Sequence, residues 1–290
     1  MNSLKTCDSK SVKFFQKFGF IGGGNIAKAI CEGMVRKKLI SFSQVYVSSA
    51  TTSSLQYWKD KGAFTTTVNG EIADEADVIF LAVKPHILAE AVAQLLQTYT
   101  PAKATNKLFI SVLAGTTLAA IENILQEVNG ARVMRVMPNT PLLVGEGCSV
   151  YCPGQYATED DINLVKTIFE VSGVCELVPE SLISAVGALA GSGPAFIYII
   201  IEALSDGGVK LGIPRKTSTM FAAQTVLGAA KMVLETGKHP GVLKEEVTSP
   251  GGTTIAGIHE LEKGGLRATL MDALEAAAKR SAVLGQQKHN

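Results

Sequence analysis

The chain of 290 residues carries almost no charge imbalance: 27 Lys+Arg oppose 26 Asp+Glu, a net +1 with pI near 7.6. Neither nucleic acid nor an acidic membrane surface therefore has an electrostatic partner here. Aromatics make up only 6% and there is a single tryptophan, Trp58, which argues against base-stacking platforms. Cysteine is sparse and odd in number, since Cys7, Cys31, Cys148, Cys152 and Cys175 form no C-x-x-C pair. Four of the five sit in apolar strand or helix patterns. They read as buried free thiols of a reducing compartment, and no metal site is expected. No secretory signal is visible, because the first long apolar run lies far from the N-terminus. The expectation is a cytoplasmic protein. Residues 1–17 set Lys5, Lys10, Lys13 and Lys17 against Asp8, a faint trace of a mitochondrial presequence without arginine. They read as a flexible arm.

Against these absences, one stretch stands out. Mostly apolar Phe18 to Ile21 runs straight into Gly22, Gly23 and Gly24, and Ile26, Ala29, Ile30 and Met34 then follow at helical spacing. Strand, tight turn and helix are implied, and Gly22, Gly24 and Ala27 match the G-x-G-x-x-A form of the dinucleotide fingerprint. Gly22 would let the chain turn sharply off the strand, and Gly24 would let a pyrophosphate approach bare backbone. Ala27 would keep the helix close to the sheet. Free N–H groups at the helix start, with the positive end of its dipole, would hold the phosphates. A plain glycine-rich βα turn is the alternative.

Strand-like runs follow at Val45–Val47, Val78–Val83, Lys107–Val112 and Arg132–Val136, with helical spacing over Ile87–Leu96 and Leu118–Val128. A strand Cys148–Cys152, a helix Thr158–Val171 and a strand Val174–Val178 complete this half. The pattern predicts an α/β, Rossmann-type doubly wound parallel sheet over residues 18–179. Beyond Pro179 no β-like run remains. Residues 180–290 read as helices over Ser181–Leu189, Pro194–Leu211, Pro214–Glu235, Val242–Val247, Thr253–Glu262 and Leu266–Leu284. Ser181 to Ile201 is uncharged and long enough to span a bilayer. Glycines and Pro194 interrupt it, so two buried helical segments around a turn are expected, with no membrane partner.

The second strand ends in Ser48-Ser49-Ala50-Thr51-Thr52-Ser53-Ser54, with no carboxylate to hold a ribose 2′-hydroxyl. Hydroxyls leave room for a 2′-phosphate, so NADP fits better than NAD; loop and N-cap roles are the alternative. Ala82-Val83-Lys84-Pro85-His86 falls where such sheets place ligands, and its backbone would line a nicotinamide. Met137-Pro138-Asn139-Thr140-Pro141 is a second such loop, in which Asn139 and Thr140 would line a site or serve the turn. Ser249-Pro250-Gly251-Gly252-Thr253-Thr254 has the layout of a glycine-rich helix start suited to a carboxylate, or of a capped loop.

Taken together, Phe20-Ile-Gly-Gly-Gly24, Ala82 to His86, Met137 to Pro141, Gly191-Ser-Gly-Pro194, Asp206-Gly-Gly-Val209 and Ser249 to Thr254 resemble pyrroline-5-carboxylate reductase from about Phe18 to Leu284. The resemblance implies reduction of L-1-pyrroline-5-carboxylate to L-proline by NADPH, with NADH as the alternative donor. It also implies dimerisation through the helical half, with further assembly into a ring of dimers such as a decamer. Carried over, Ile21, Gly22, Gly23, Gly24, Asn25 and Ile26 would hold the pyrophosphate. Ser49 would face the adenosine ribose, and Asn69 would touch the cofactor. Ala82, Val83, Lys84 and Pro85 with Val112, Leu113 and Ala114 would frame the nicotinamide. Gly252, Thr253 and Thr254, with Glu180 and Glu246 nearby, would hold the substrate. Thr254 is the catalytic candidate, through a hydrogen bond to the ring nitrogen. A 3-keto-acid dehydrogenase is the enzymatic alternative, but such enzymes use a lysine on the long helix, and Glu180–Val209 has no Lys or Arg. An NADP-binding regulator without turnover and a purely structural helical dimer complete the alternatives.

Overall fold

The computed structural model describes residues 16–286, and the expected arm lies outside this range except for its last two residues. Lys17 is already anchored: its N–H donates to Asp77 and its Nζ pairs with Glu75 at 2.7 Å. Eight strands follow, β1 Phe18–Ile21, β2 Val45–Ser48, β3 Phe64–Thr66, β4 Val78–Leu81, β5 Leu108–Ser111, β6 Arg132–Met137, β7 Gly147–Pro153 and β8 Gly173–Leu177. They form one sheet in the order β3-β2-β1-β4-β5-β6-β7-β8. The first six follow the 3-2-1-4-5-6 order of dinucleotide-binding sheets. The expected doubly wound parallel sheet is present, and β6–β7 is its one antiparallel pairing, with β8 parallel to β7 beyond it.

Helices cover the sheet: α1 Asn25–Arg36, α2 Gln56–Asp60, α3 Asn69–Glu75, α4 Leu88–Thr98, α5 Leu118–Ile124 and α6 Glu159–Glu170. All four residues of β1, β4 and β5 are buried, which is why these strands are almost wholly apolar runs. Alternation divides them between two cores. Phe18, Phe20 and Phe80 join Trp58 and Phe169 on one face, while Ile21, Ile79, Leu81 and Phe109 join Leu95 and Ile121 on the other. Each such side chain contributes about 1.5–3 kcal/mol by leaving water. A Cβ on Gly19 would lie 2.4 Å from Ile72, so the bare position lets α3 close on β1. Thr158 and Asp161 form a capping box at α6, and Asp161 also accepts from Arg132 at 2.7 and 3.1 Å.

Among the described cysteines, Cys31, Cys152 and Cys175 are free and buried as expected, whereas Cys148 is exposed. Burial pushes the thiols up, Cys31 and Cys175 to about 12 and Cys152 to about 11.

The second half holds α7 Glu180–Val186, α8 Gly193–Lys210, α9 Arg215–Thr236, α10 Pro240–Glu246, α11 Thr253–Lys263 and α12 Leu266–Gln286. By its contacts the chain divides into residues up to Gly191 with those from Ala278, and Ser192–Ala277. The contact boundary thus falls after α7, because α7 buries Ile183 in the sheet's second core. The expected turn between Ser181 and Ile201 is absent. A π-helical turn, Gly187–Ser192, joins α7 to α8, and of Ser181–Ile201 only Ile183, Gly187 and Ala188 are buried in the single chain. Glu180–Lys210 is the one helix among the described residues long and apolar enough to cross a membrane. Within Ser192–Ala277, α8 and α9 form a hairpin held where Ser218 Oγ donates to Ser205 O at 2.7 Å. A Cβ at Gly208 would fall 2.1 Å from Ser218 Oγ, so the approach of the two helices depends on that glycine.

Candidate functional site

The loops after β1, β2, β4 and β5 meet at one edge of the sheet. Register places Ile21 beside both Ser48 and Leu81, and Leu81 beside Ser111. Gly22 N donates to Ser48 O, Ala82 N to Ile21 O and Val112 N to Leu81 O, at 2.9, 2.9 and 3.2 Å. The sequence-expected cofactor residues Gly22, Ser49, Ala82 and Val112 are therefore neighbours across the sheet's C-terminal edge.

The three glycines do different work. Gly22 has φ +104, and a Cβ there would lie 2.7 Å from the Ala82 carbonyl, so it is needed for the chain to leave β1 beside β4. At Gly23 a Cβ would meet Trp58 Nε1 at 2.7 Å. Gly24 has no atom within 4 Å of its Cβ position, and it opens α1 with no side-chain cap. Asn25 is exposed and Ile26 half-buried on the first turn. An uncapped helix start beneath an open, side-chain-free residue fits the pyrophosphate of a dinucleotide.

Ser49 Oγ shares a hydrogen bond with Ser54 Oγ at 2.6 Å, and Ser54 also reaches Thr51, giving a cluster of hydroxyls at the end of β2. Asn69 is taken up more by the fold than the sequence implied. Its Oδ1 accepts from the buried Ser48 Oγ at 2.7 Å and its Nδ2 donates to Ala91 O at 2.9 Å. One amide N–H and one oxygen lone pair remain for a further partner. Ala82 and Leu113 are buried, Val83, Pro85 and Val112 half-buried, and Lys84 and Ala114 exposed. A cavity of about 410 Å³ lined by Pro85, His86, Thr116, Thr117 and Asn123 adjoins these loops. A larger one, about 630 Å³, lies at the opposite edge around Asn106, Arg132 and Tyr156, so size alone does not locate the site.

Asn139 serves the turn. Its Oδ1 accepts from Cys148 N at 2.8 Å and its Nδ2 donates to Ala190 O at 3.0 Å. Ala190 is the carbonyl that Pro194, lacking an N–H four residues on, leaves without a helical donor. Thr140 is exposed. Glu180 is likewise engaged. Its Oε1 accepts from Arg135 Nη1 at 2.7 Å and from Leu118 N at 2.6 Å, tying α7 to β6 and to the start of α5.

The remaining substrate-side residues lie in the helical unit. Gly251 has φ +66, and Gly252 is the N-cap of α11 with no side-chain cap of its own. Thr253 is exposed and Thr254 half-buried on the first turn. Glu246 ends α10 and pairs with Lys238 at 2.6 Å. Trp58 was weighed in the sequence only as a scarcity. It is fully buried, and its Nε1 donates to Gly23 O at 3.1 Å. Its place shortly after the fingerprint was the one available signal.

Residues 180–284 match the family described as pyrroline-5-carboxylate reductase dimerisation, and residues 17–115 the family described as NADP oxidoreductase, coenzyme F420-dependent. A pyrroline-5-carboxylate reductase of Arabidopsis thaliana is 47% identical over 274 residues, covering 93% of this chain and 96% of its own. Pyrroline-5-carboxylate reductase 3 of Danio rerio is 42% identical, covering 99% and 98%. Among solved structures, the reductase of Coxiella burnetii superposes with TM-score 0.83 at 37% identity, covering 93% and 99%. That of Plasmodium falciparum, with NADP bound, does so with TM-score 0.83 at 31% identity, covering 94% and 100%. The exposed apolar helices are thus a dimerisation segment, the protein is a homo-oligomer, and the chain belongs to the pyrroline-5-carboxylate reductase family.

Proposed function

We infer that two uncapped helix starts, those of α1 and α11, seat the two reactants of the family's reaction. In that reaction L-1-pyrroline-5-carboxylate is reduced to L-proline by NAD(P)H. The observation that carries this reading is the open face of Gly24 above α1, where a ligand's phosphates find N–H groups and no side chain. Gly22, Gly23, Gly24, Asn25 and Ile26 hold the pyrophosphate. The hydroxyl cluster around Ser49 receives the 2′-phosphate, which supports NADPH over NADH, and Asn69 offers its remaining N–H beside it. Ala82 to Pro85 and Val112 to Ala114 line the nicotinamide side. Bound NADPH supplies the hydride.

On the substrate side, the N–H groups at Gly252, Thr253 and Thr254 hold the carboxylate, supported by the uncapped start of α11. A protonated cyclic imine is already a good hydride acceptor at C5. The protein therefore needs to orient the ring and hold its proton. The Thr254 hydroxyl accepts a hydrogen bond from the ring N–H and favours that protonated form. Glu180 acts by fixing Arg135 and the start of α5, and Glu246 stands near the substrate helix. Assembly into a ring of dimers such as a decamer is supported by apolar side chains exposed beyond α8 and α9, among them Val247, Leu261 and Met271. A cytoplasmic location, with a mitochondrial one as the alternative, is supported by the free buried thiols. Imaging of the full chain fused at its C-terminus tests it.

The deciding experiment follows NADPH oxidation with and without L-1-pyrroline-5-carboxylate, then with NADH. Rapid oxidation only with the imine, faster with NADPH, is expected. Thr254→Ala should lower kcat about tenfold or more while leaving NADPH affinity unchanged. Equal loss of both overturns the role of Thr254.

A further inference from the structure

We propose that Trp58 is a positioning residue for the cofactor. Its indole N–H fixes the Gly23–Gly24 peptide so that the Gly24 N–H, and not the Gly23 carbonyl, faces the phosphates. The inference rests on the reading that Gly22 to Ile26 hold the pyrophosphate.

The geometry is specific. Trp58 is 0% exposed and packs on Phe20 at 5.7 Å between ring centroids, and Phe20 stacks on Phe80 at 4.6 Å. Tyr57 meets the indole edge-on at 5.4 Å. The ring is thus locked by the core of the sheet, and its one polar atom donates to Gly23 O at 3.1 Å. The same ring closes on Gly23 itself, where a Cβ would lie 2.7 Å from Nε1 and 3.1 Å from Val47 Cγ1.

A trans peptide points its C=O and N–H in opposite directions, and no cis bond occurs among the described residues. With the Gly23 oxygen drawn inward to the indole, the Gly24 N–H is turned outward. That is the side on which Gly24 is exposed and its Cβ position is free of neighbours. The peptide needs such a restraint. It joins two glycines, the residues that rotate most freely, so a flip meets little steric resistance. A flipped peptide would present a carbonyl oxygen to two phosphates. Indole nitrogen is a donor only, so it holds the carbonyl and has no means of holding the flipped N–H. An amide or imidazole in its place would tolerate either orientation.

Trp58→Phe keeps an aromatic ring against Phe20 and removes the donor. The expected result is a rise of about three- to tenfold in KM for NADPH. The kcat and the KM for L-1-pyrroline-5-carboxylate should stay within about twofold, the split expected of lost binding. Because Trp58 is the only tryptophan, emission of the unaltered protein excited at the red edge reports this loop directly. Titration with NADP+, which avoids energy transfer to the reduced nicotinamide, should change that emission saturably. Gly24→Ala serves as the control, since the fold has room for the methyl and only a ligand there would meet it. If Gly24→Ala raises the KM for NADPH and Trp58→Phe does not, positioning by the indole is refuted while the pyrophosphate reading stands. If neither raises it, the pyrophosphate reading falls as well. A uniform fall in kcat and all affinities with the melting temperature, or emission indifferent to NADP+, also overturns the proposal.

Discussion

The sheet unit and the helical unit solve opposite problems. Up to Gly191 the chain buries its own apolar residues, and Phe18, Phe20, Trp58, Phe80 and Phe109 are each 0% exposed. In Ser192–Ala277 the only buried residues are Ser205, Ser218 and Ala222, all at the α8–α9 contact. Ile199, Tyr198, Phe221, Met232 and Leu234 meanwhile stand in water in the single chain. A helix apolar on all sides requires a partner, and the dimerisation family matched over 180–284 says what that partner is. One unit is a finished domain. The other is half of an interface, so its amino-acid choices are legible only when a second copy is allowed for.

The sharpest way to break this contrast is a charge on the helical face. Ile199→Glu should weaken self-association by about 100-fold or more, because the carboxylate must be buried on assembly. Sedimentation would show smaller species, while NADP+ binding by the sheet unit persists. Next in size, Gly22→Ala should cost the sheet unit about 3 kcal/mol, through positive φ and the contact with the Ala82 carbonyl. Urea unfolding followed by Trp58 emission measures it.

Asp161 gives a pH-dependent version of the same test. Burial alone would raise its carboxyl, but hydrogen bonds from Arg132 and Thr158 outweigh that and hold it below the usual carboxylate range. A depressed folded pKa means stability that is fully present above about pH 4 and lost as pH falls through the folded value. Asp161→Asn should therefore cost about 2 kcal/mol at neutral pH. That difference from the unaltered protein should shrink on acidification, as urea midpoints at pH 7 and pH 3 would show. The smallest effect belongs to the exposed pair of Lys238 and Glu246, where Lys238→Ala should change stability by less than about 0.5 kcal/mol.

Those same two units explain what could be read from the sequence. Strands β1, β4 and β5 are legible because burial on both faces writes an unbroken apolar run. By contrast, β3 is a three-residue edge strand with Phe64 half in water, and carries no such pattern. Helix α3 contains Gly70, a poor helix former, required because a Cβ there would lie 2.3 Å from the Thr98 carbonyl carbon. That need arises from a neighbour in space and leaves no local signal. The Gly191-Ser-Gly-Pro194 stretch reads as a helix break for sound reasons. It is not one, because a π turn and the distant Asn139 amide absorb the hydrogen bond that proline forfeits. As helix starts without a side-chain cap, the glycine loop and the start of α11 were legible from spacing. The resemblance placed Glu180 beside the substrate, and its bonds to Arg135 and Leu118 depend on tertiary contacts that spacing does not encode. Trp58 was invisible for the same reason.

The thiols have a use of their own as a clock. Cys31, Cys152 and Cys175 all lie in the sheet unit and are raised by burial, so an alkylating reagent finds almost no thiolate there at neutral pH. Their labelling must wait for the sheet to open, whereas the exposed Cys148, though partial burial raises its thiol too, is reached in the folded state and serves as the reference. Mass spectrometry of the labelled chain would then count openings of the sheet unit, undisturbed by the cysteine-free helices from Ser192 to Ala277.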